Sequence, residues 1–162
     1  MKREVPGPGQ ESVWDYPRPP RVEPETRHVT VVLDGRIIAE SSATLRVLET
    51  SHPPNIYLPS DAVAPGVLIP NPRHTVCEWK GQAGYWDVHT GRRTVSAAAW
   101  GYPGPRSGYE ALVDHVSFYP GLMDACYLGD EIVVPQPGSF YGGWITSDVV
   151  GPFKGGAGSW NW

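Results

Sequence analysis

Val29-Thr-Val-Val-Leu-Asp-Gly-Arg-Ile-Ile-Ala-Glu40 decides the class of fold. Two runs rich in β-branched residues flank Asp34-Gly35. An Asp-Gly link between such runs is the strongest short hairpin signal, because a type I′ turn needs positive φ at both central positions. Thr44-Leu-Arg-Val-Leu-Glu-Thr50 follows as a third strand. It ends before His52-Pro53-Pro54, since proline pushes its predecessor out of helix and removes a ladder donor.

Working outward, a second hairpin is predicted from His74 to about Lys80 and from Gly84 to about Thr90, with Gly81-Gln82-Ala83 as its loop. Another strand runs from Arg92 to Trp100. Ser107-Gly-Tyr-Glu110 has the form of a capping box, and Tyr109, Leu112, Val113 and Val116 recur at i, i+3, i+4 and i+7. This predicts one α-helix over about 108–119, stopped by Pro120-Gly121. Met123 to Leu128 and Glu131 to Val134 flank Gly129-Asp130 as a last hairpin.

Six prolines between Pro6 and Pro24 make residues 1–26 an extended arm, ordered only if Trp14 and Tyr16 dock on the body. The core domain is expected over 27–134. Residues 135–162 form a tail rich in glycine and aromatics, expected to pack on the core or on a partner subunit, which would make a homodimer. Within the tail, Phe153-Lys-Gly-Gly-Ala-Gly-Ser-Trp160 echoes Trp79-Lys-Gly-Gln-Ala-Gly-Tyr-Trp86. The echo reads as two unrelated Gly-rich turns, because a structural repeat needs more than one matching segment.

The chain has 162 residues, enough for one hydrophobic core and short for two. It carries 19 Gly and 18 Pro, a turn-rich mix, yet 7 Trp and 8 Tyr make it too aromatic for a disordered chain. A net charge of −4 offers no positive field for a phosphate backbone, so no nucleic-acid partner is expected. The apolar runs are far below the roughly 20 residues that span a bilayer, so no membrane partner is expected either. Met1 to Gln10 lacks the apolar stretch of a secretory signal, and Cys77 and Cys126 read as reduced thiols. A cytoplasmic location follows.

The order of segments carries a resemblance. Arg46-Val-Leu-Glu-Thr50, Pro54 with Tyr57-Leu-Pro59, Thr75-Val-Cys-Glu-Trp-Lys-Gly81, Ala98-Ala-Trp-Gly-Tyr-Pro103, and Val116-Ser-Phe-Tyr119 with Val133 to Pro135 succeed one another. In this order they resemble the domain of unknown function 427 family over about residues 28–134. Gly142-Gly-Trp-Ile-Thr146 and Gly151-Pro-Phe-Lys-Gly155 resemble a longer subgroup of it. The resemblance implies a bacterial protein of β-tent-like architecture, with a cavity between two sheets that meet at an angle, and it brings a nucleotidyltransferase-like label. Catalysis of that kind usually needs paired acidic residues for Mg²⁺, and no Asp-x-Asp is present. Paired Cys-x-x-Cys motifs, which hold zinc in many β-tent proteins, are also missing. No metal or other cofactor is expected. The fold expected is therefore mainly β, with two small antiparallel sheets in a tent or sandwich arrangement and one α-helix.

Several residues could carry chemistry. If the second hairpin closes over 81–83, Cys77, Asp87, Thr75 and His89 share one face, and a nearby base could generate a thiolate. The bland alternative is a structural thiol. Lys80 could act as a base, form a Schiff base or clamp an anion, or simply lay its stem along Trp79. Arg46 and Glu49 point to opposite faces of one strand, and a buried charge must find a partner. Glu49 is expected to find Lys80 or Tyr57. Trp79, Tyr85, Trp86, Trp100 and Tyr102 supply aromatic faces, most of which must be core. His52, His74 and His89 lack metal-ligand spacing. The leading reading is a small-molecule-binding β module whose ligand meets Arg46, Glu49, Tyr57, Lys80, Tyr85, Trp100 and Tyr102. The alternatives are a small transferase or hydrolase using Cys77 or Lys80, and a scaffold or assembly protein.

Overall fold

Asp34 and Gly35 both have positive φ, 55° and 68°, and Leu33 pairs directly with Arg36 across them. The predicted hairpin is thus present with its expected turn. It belongs to a mainly β structure, a computed structural model that describes residues 1–162. In chain order the strands begin with β1 (Glu11–Ser12), β2 (Arg21–Glu25), β3 (Val29–Leu33), β4 (Arg36–Ser41) and β5 (Thr44–Leu48). Next come β6 (Asn55–Pro59), β7 (Leu68–Cys77), β8 (Gly81–His89), β9 (Thr94–Gly101) and β10 (His115–Phe118). The last five are β11 (Ala125–Leu128), β12 (Glu131–Ile132), β13 (Val134–Pro135), β14 (Trp144–Ile145) and β15 (Val149–Val150).

Seven strands form one antiparallel sheet in the order β2-β5-β6-β10-β9-β8-β7, and four form another, β12-β11-β3-β4. Two further ladders are small: β13 pairs antiparallel with β14, and β1 runs parallel to β15. Two small antiparallel sheets were expected; one of them is instead large. The cause is that β10, within the stretch expected as helix, joins β5-β6 to β9-β8-β7, and β2 of the proline-rich arm adds a further edge strand on β5.

The expected helix over 108–119 is absent. Glu110–Leu112 forms only a single 3-10 turn, and His115–Phe118 is a strand between β6 and β9. Glu110 does bond backwards, but to the backbone N–H of Gly108 at 3.0 Å. Asp114 then takes a positive φ of 57°, which an α-helix cannot continue through. Val116 and Phe118 are buried with Ser117 between them on the other face, a period of two rather than 3.6.

The core between the two main sheets is aliphatic. Val29, Val31 and Leu33 of β3 meet Ile56 and Leu58 of β6, Val116 and Phe118 of β10, and Cys126 and Leu128 of β11. Each such buried aliphatic side chain contributes about 1.5–3 kcal/mol. The family resemblance placed a cavity between the sheets. That space is filled by one contiguous cluster of buried side chains, most of them branched or aromatic. Trp144 from the tail completes the same cluster.

The arm and the tail are held together on the body. Val13 and Tyr16 pack with Leu48 and Val149, and the Trp14 indole donates to the Pro152 carbonyl at 2.9 Å. No helix is long and apolar enough to cross a membrane.

Candidate functional site

Strand alternation sends Ile56 and Leu58 into the aliphatic core and Tyr57 to the opposite face of the large sheet. Ala83, Tyr85, Trp100 and Tyr102 join Tyr57 there. These side chains line a cavity of about 240 Å³ on the side turned away from the four-stranded sheet. The Trp100 indole N–H donates to the Tyr57 hydroxyl at 3.2 Å, and the two rings meet edge to face at 6.1 Å. The Tyr85 hydroxyl bonds Thr75 at 2.9 Å. Burial raises the pKa of Tyr57, Tyr102 and Tyr119 well above the ordinary phenol value, so these hydroxyls stay protonated at neutral pH.

Lys80 enters this space from the β7–β8 hairpin. The hairpin does not close over 81–83: Cys77 pairs with Gly81, so the loop is Glu78-Trp79-Lys80. Arg106 fixes the loop, its backbone N–H bonding the Lys80 carbonyl at 2.8 Å and its guanidinium bonding the Glu78 carbonyl at 2.5 Å. Lys80 is only 8% exposed, with its ammonium 5.5 Å from the Tyr102 ring centre. Neither an ion pair nor a hydrogen bond within the chain engages that ammonium.

The opposite wall comes from the tail. At Gly142 a Cβ would lie 2.3 Å from the Trp100 ring, so only glycine lets the tail cross the indole this closely. Gln136 ties the wall down: its Oε1 accepts from the Gly143 N–H at 3.0 Å, while its Nε2 donates to the Lys154 carbonyl at 2.8 Å and meets His52 Nδ1 at 3.1 Å. With Nδ1 as acceptor, the His52 proton sits on Nε2, which faces Glu49 at 3.6 Å. Burial, with Lys154, Arg18 and Lys80 nearby, lowers the His52 pKa to about 3, so this contact joins a neutral imidazole to the carboxylate. Tyr141 stacks edge-on against His52 at 4.8 Å and lies beneath the Lys154 ammonium.

Of the seven ligand-binding residues expected from sequence, six line this cavity: Glu49, Tyr57, Lys80, Tyr85, Trp100 and Tyr102. Arg46 does not. It pairs across β5–β6 with Ile56, not with Tyr57, and so lies on the other face. There its guanidinium bonds Glu23 and Glu11 at 2.8 Å each. Glu49 meets Arg18 at 3.7 Å rather than Lys80 or Tyr57. Cys77 lines the cavity, but the register removes its companions. Asp87 accepts from Asn71 at 2.7 Å and from the Ala97 N–H at 2.8 Å, and His89 bonds Thr94 at 2.9 Å. Trp86 packs against the aliphatic core instead. Sequence reasoning missed His52 as a wall residue, and with it Tyr119, Tyr141 and Lys154. The one signal that pointed to Lys154 was the tail's echo of the Trp79–Trp86 segment. No group of three or more His, Cys, Asp or Glu is gathered as around a metal ion.

Residues 21–129 match the model of a family described as Domain of unknown function (DUF427). The chain belongs to that family. The DUF427 match runs from the start of β2 to just past β11. It therefore contains Glu49, Tyr57, Lys80, Trp100 and Tyr102, whereas Gln136, Tyr141 and Lys154 follow it. No curated protein matches the chain.

The two thiols of this DUF427 protein should differ sharply. Cys126 is 1% exposed, and burial in the apolar core raises its thiol pKa. Cys77 is half-buried and opens on the cavity. A maleimide is expected to label Cys77 in the native protein and Cys126 only after unfolding. Equal labelling of both, read by mass spectrometry of peptides, would contradict this placement.

Proposed function

We propose that this domain binds a small organic molecule in the cavity between the large sheet and the tail, with Glu49, Tyr57 and Lys80 as its polar contacts. The observation that carries this reading is Lys80. A lysine head that faces a confined space, with no acceptor or counter-charge of the chain on it, is free to hold an acceptor that another molecule brings. Tyr57, Tyr85, Trp100 and Tyr102 supply the apolar and aromatic wall around a few convergent polar groups that ligand sites share. At about 240 Å³ the space holds roughly eight waters' volume, or one ring with a short side arm.

Ligand-observed NMR against a library of small fragments tests the proposal. Binding fragments should shift the Trp100 indole resonance, and capping Cys77 with a bulky maleimide should abolish their binding. A library that yields no binder, or binders that survive capping and leave Trp100 unmoved, would end this reading.

A further inference from the structure

The two echoing segments meet in space. Trp79-Lys-Gly-Gln-Ala-Gly-Tyr-Trp86 and Phe153-Lys-Gly-Gly-Ala-Gly-Ser-Trp160 belong to different parts of the fold, one a sheet hairpin and the other the tail. Yet Lys80 and Lys154 both line the same cavity. Each is followed by a glycine of closely similar positive φ, 112° at Gly81 and 121° at Gly155. Each corner turns its lysine onto a tyrosine ring, Lys80 at 5.5 Å from the centre of Tyr102 and Lys154 at 5.6 Å from that of Tyr141. A Cβ at Gly155 would sit 1.8 Å from the Pro137 carbonyl oxygen, so this corner is sterically committed.

Two carboxylates, Glu49 and Glu78, and two ammonium groups, Lys80 and Lys154, line the cavity, yet they do not pair with each other. The protein carries a net charge of −4, so carboxylates are in excess overall. Neither Lys80 nor Lys154 is within ion-pair distance of one. Glu49 lines the cavity but is 3.7 Å from Arg18 and turned toward His52. Glu78 also lines the cavity, but its side chain is exposed to solvent and pairs with neither lysine. Two ammonium groups that share one confined space repel each other, and the repulsion grows as the surroundings lose water. An anion between them offsets the repulsion and supplies the acceptors that neither ammonium has within the chain.

Building on the small-molecule reading above, we propose that the ligand is a planar ring bearing one anionic group, which Lys80 and Lys154 hold from two walls. The rings of Tyr57, Trp100 and Tyr102 cover the planar part. The anion can be a carboxylate or a phosphate, since both offer several acceptor oxygens to ammonium donors. The tail is then part of the recognition site, because Lys154 lies beyond the family match.

Four probes of one ring size test this on the full chain: benzoate, phenyl phosphate, benzamide and benzylamine. The Trp100 indole signal reports occupancy, and a thermal melt of each variant confirms its fold. An anionic probe should bind about tenfold or more tighter than benzamide, and benzylamine should not bind, as expected when charge-assisted hydrogen bonds dominate. Whichever anion binds tighter names its chemical type. Lys80→Met and Lys154→Met should each weaken the anion by about tenfold and benzamide by much less, with Lys→Arg restoring part of the loss. Benzamide binding as tightly as the anions would overturn the charge assignment and leave the cavity reading intact. Full anion affinity in Lys154→Met would overturn the role of the tail. No shift at Trp100 with any of the four would overturn both proposals.

Discussion

Replacing Trp144 by alanine is expected to remove about 3–5 kcal/mol of stability, the usual range for a large aromatic cut from a core. Trp144 is fully buried although it lies outside the family match. Its ring completes the aliphatic cluster between the sheets, and its indole N–H donates to the Phe118 carbonyl at 3.1 Å. The truncation would open a void and also leave that carbonyl without its partner, a further loss of about 1 kcal/mol or more. Since small domains have only about 5–15 kcal/mol in total, the variant would be close to unfolding at physiological temperature. Urea melts of the wild type and Trp144→Ala give the number. A loss below about 1 kcal/mol would show the tail to be a mere covering.

Acid should weaken the protein earlier than its carboxylates alone would. His52 has an ordinary pKa near 6.5 when unfolded, and burial lowers it to about 3 in the fold. The folded state therefore refuses a proton that the unfolded state accepts, so stability is full above pH 6.5 and falls as pH drops from there toward 3. Between pH 7.5 and 5.0 this amounts to about 2 kcal/mol, and it approaches about 4 kcal/mol near pH 3. The groups around His52 explain the sign. Lys154, Arg18 and Lys80 oppose its charge, and the one carboxylate beside it, Glu49, is shared with Arg18. The depressed carboxyls of Asp34, Asp87, Asp148, Glu25 and Glu110 begin to lose their contribution only from about pH 5 downward, below the pH 7.5 to 5.0 interval that isolates His52. Urea melts at the two pH values should show the loss in the wild type and a much flatter response in His52→Gln. Equal slopes in the two proteins would refute the assignment.

Much of the site was legible because strand alternation is a strict rule. Alternation in β6 separates Tyr57 from Ile56 and Leu58, and Glu49, just past the end of β5, also reaches the cavity. The same rule, applied without the cross-strand register, could not tell which face was which, so Arg46 was drawn into the wrong group. Its pairing with Ile56 is a property of two strands together. The β7–β8 hairpin shows the limit most clearly. A loop at Glu78-Trp79-Lys80 rather than 81–83 shifts every partner, which separates Cys77 from Asp87 and His89. The lost helix has another cause. Its capping residues and its stripe were both present, but Asp114 turned the chain into a sheet position between β6 and β10's other neighbour, β9. Tertiary pairing overrode local preference there. His52 and Gln136 left no local signal, since what joins them is a contact between residues 84 positions apart.

The parallel ladder between β1 and β15 has a kinetic consequence. It joins Glu11 to Val149, so that contact closes a loop of most of the chain, and the Gln136–His52 link closes another long one. Contacts between distant residues must overcome loop entropy before they return any stabilisation, which slows folding. The β3–β4 and β7–β8 hairpins form from near neighbours, whereas the β3–β11 pairing, which joins Val32 to Ala125, closes a long loop of its own. The chamber beside Trp100 is complete only when its last wall closes, and a folding experiment should find ligand binding appearing no earlier than the contacts of the tail.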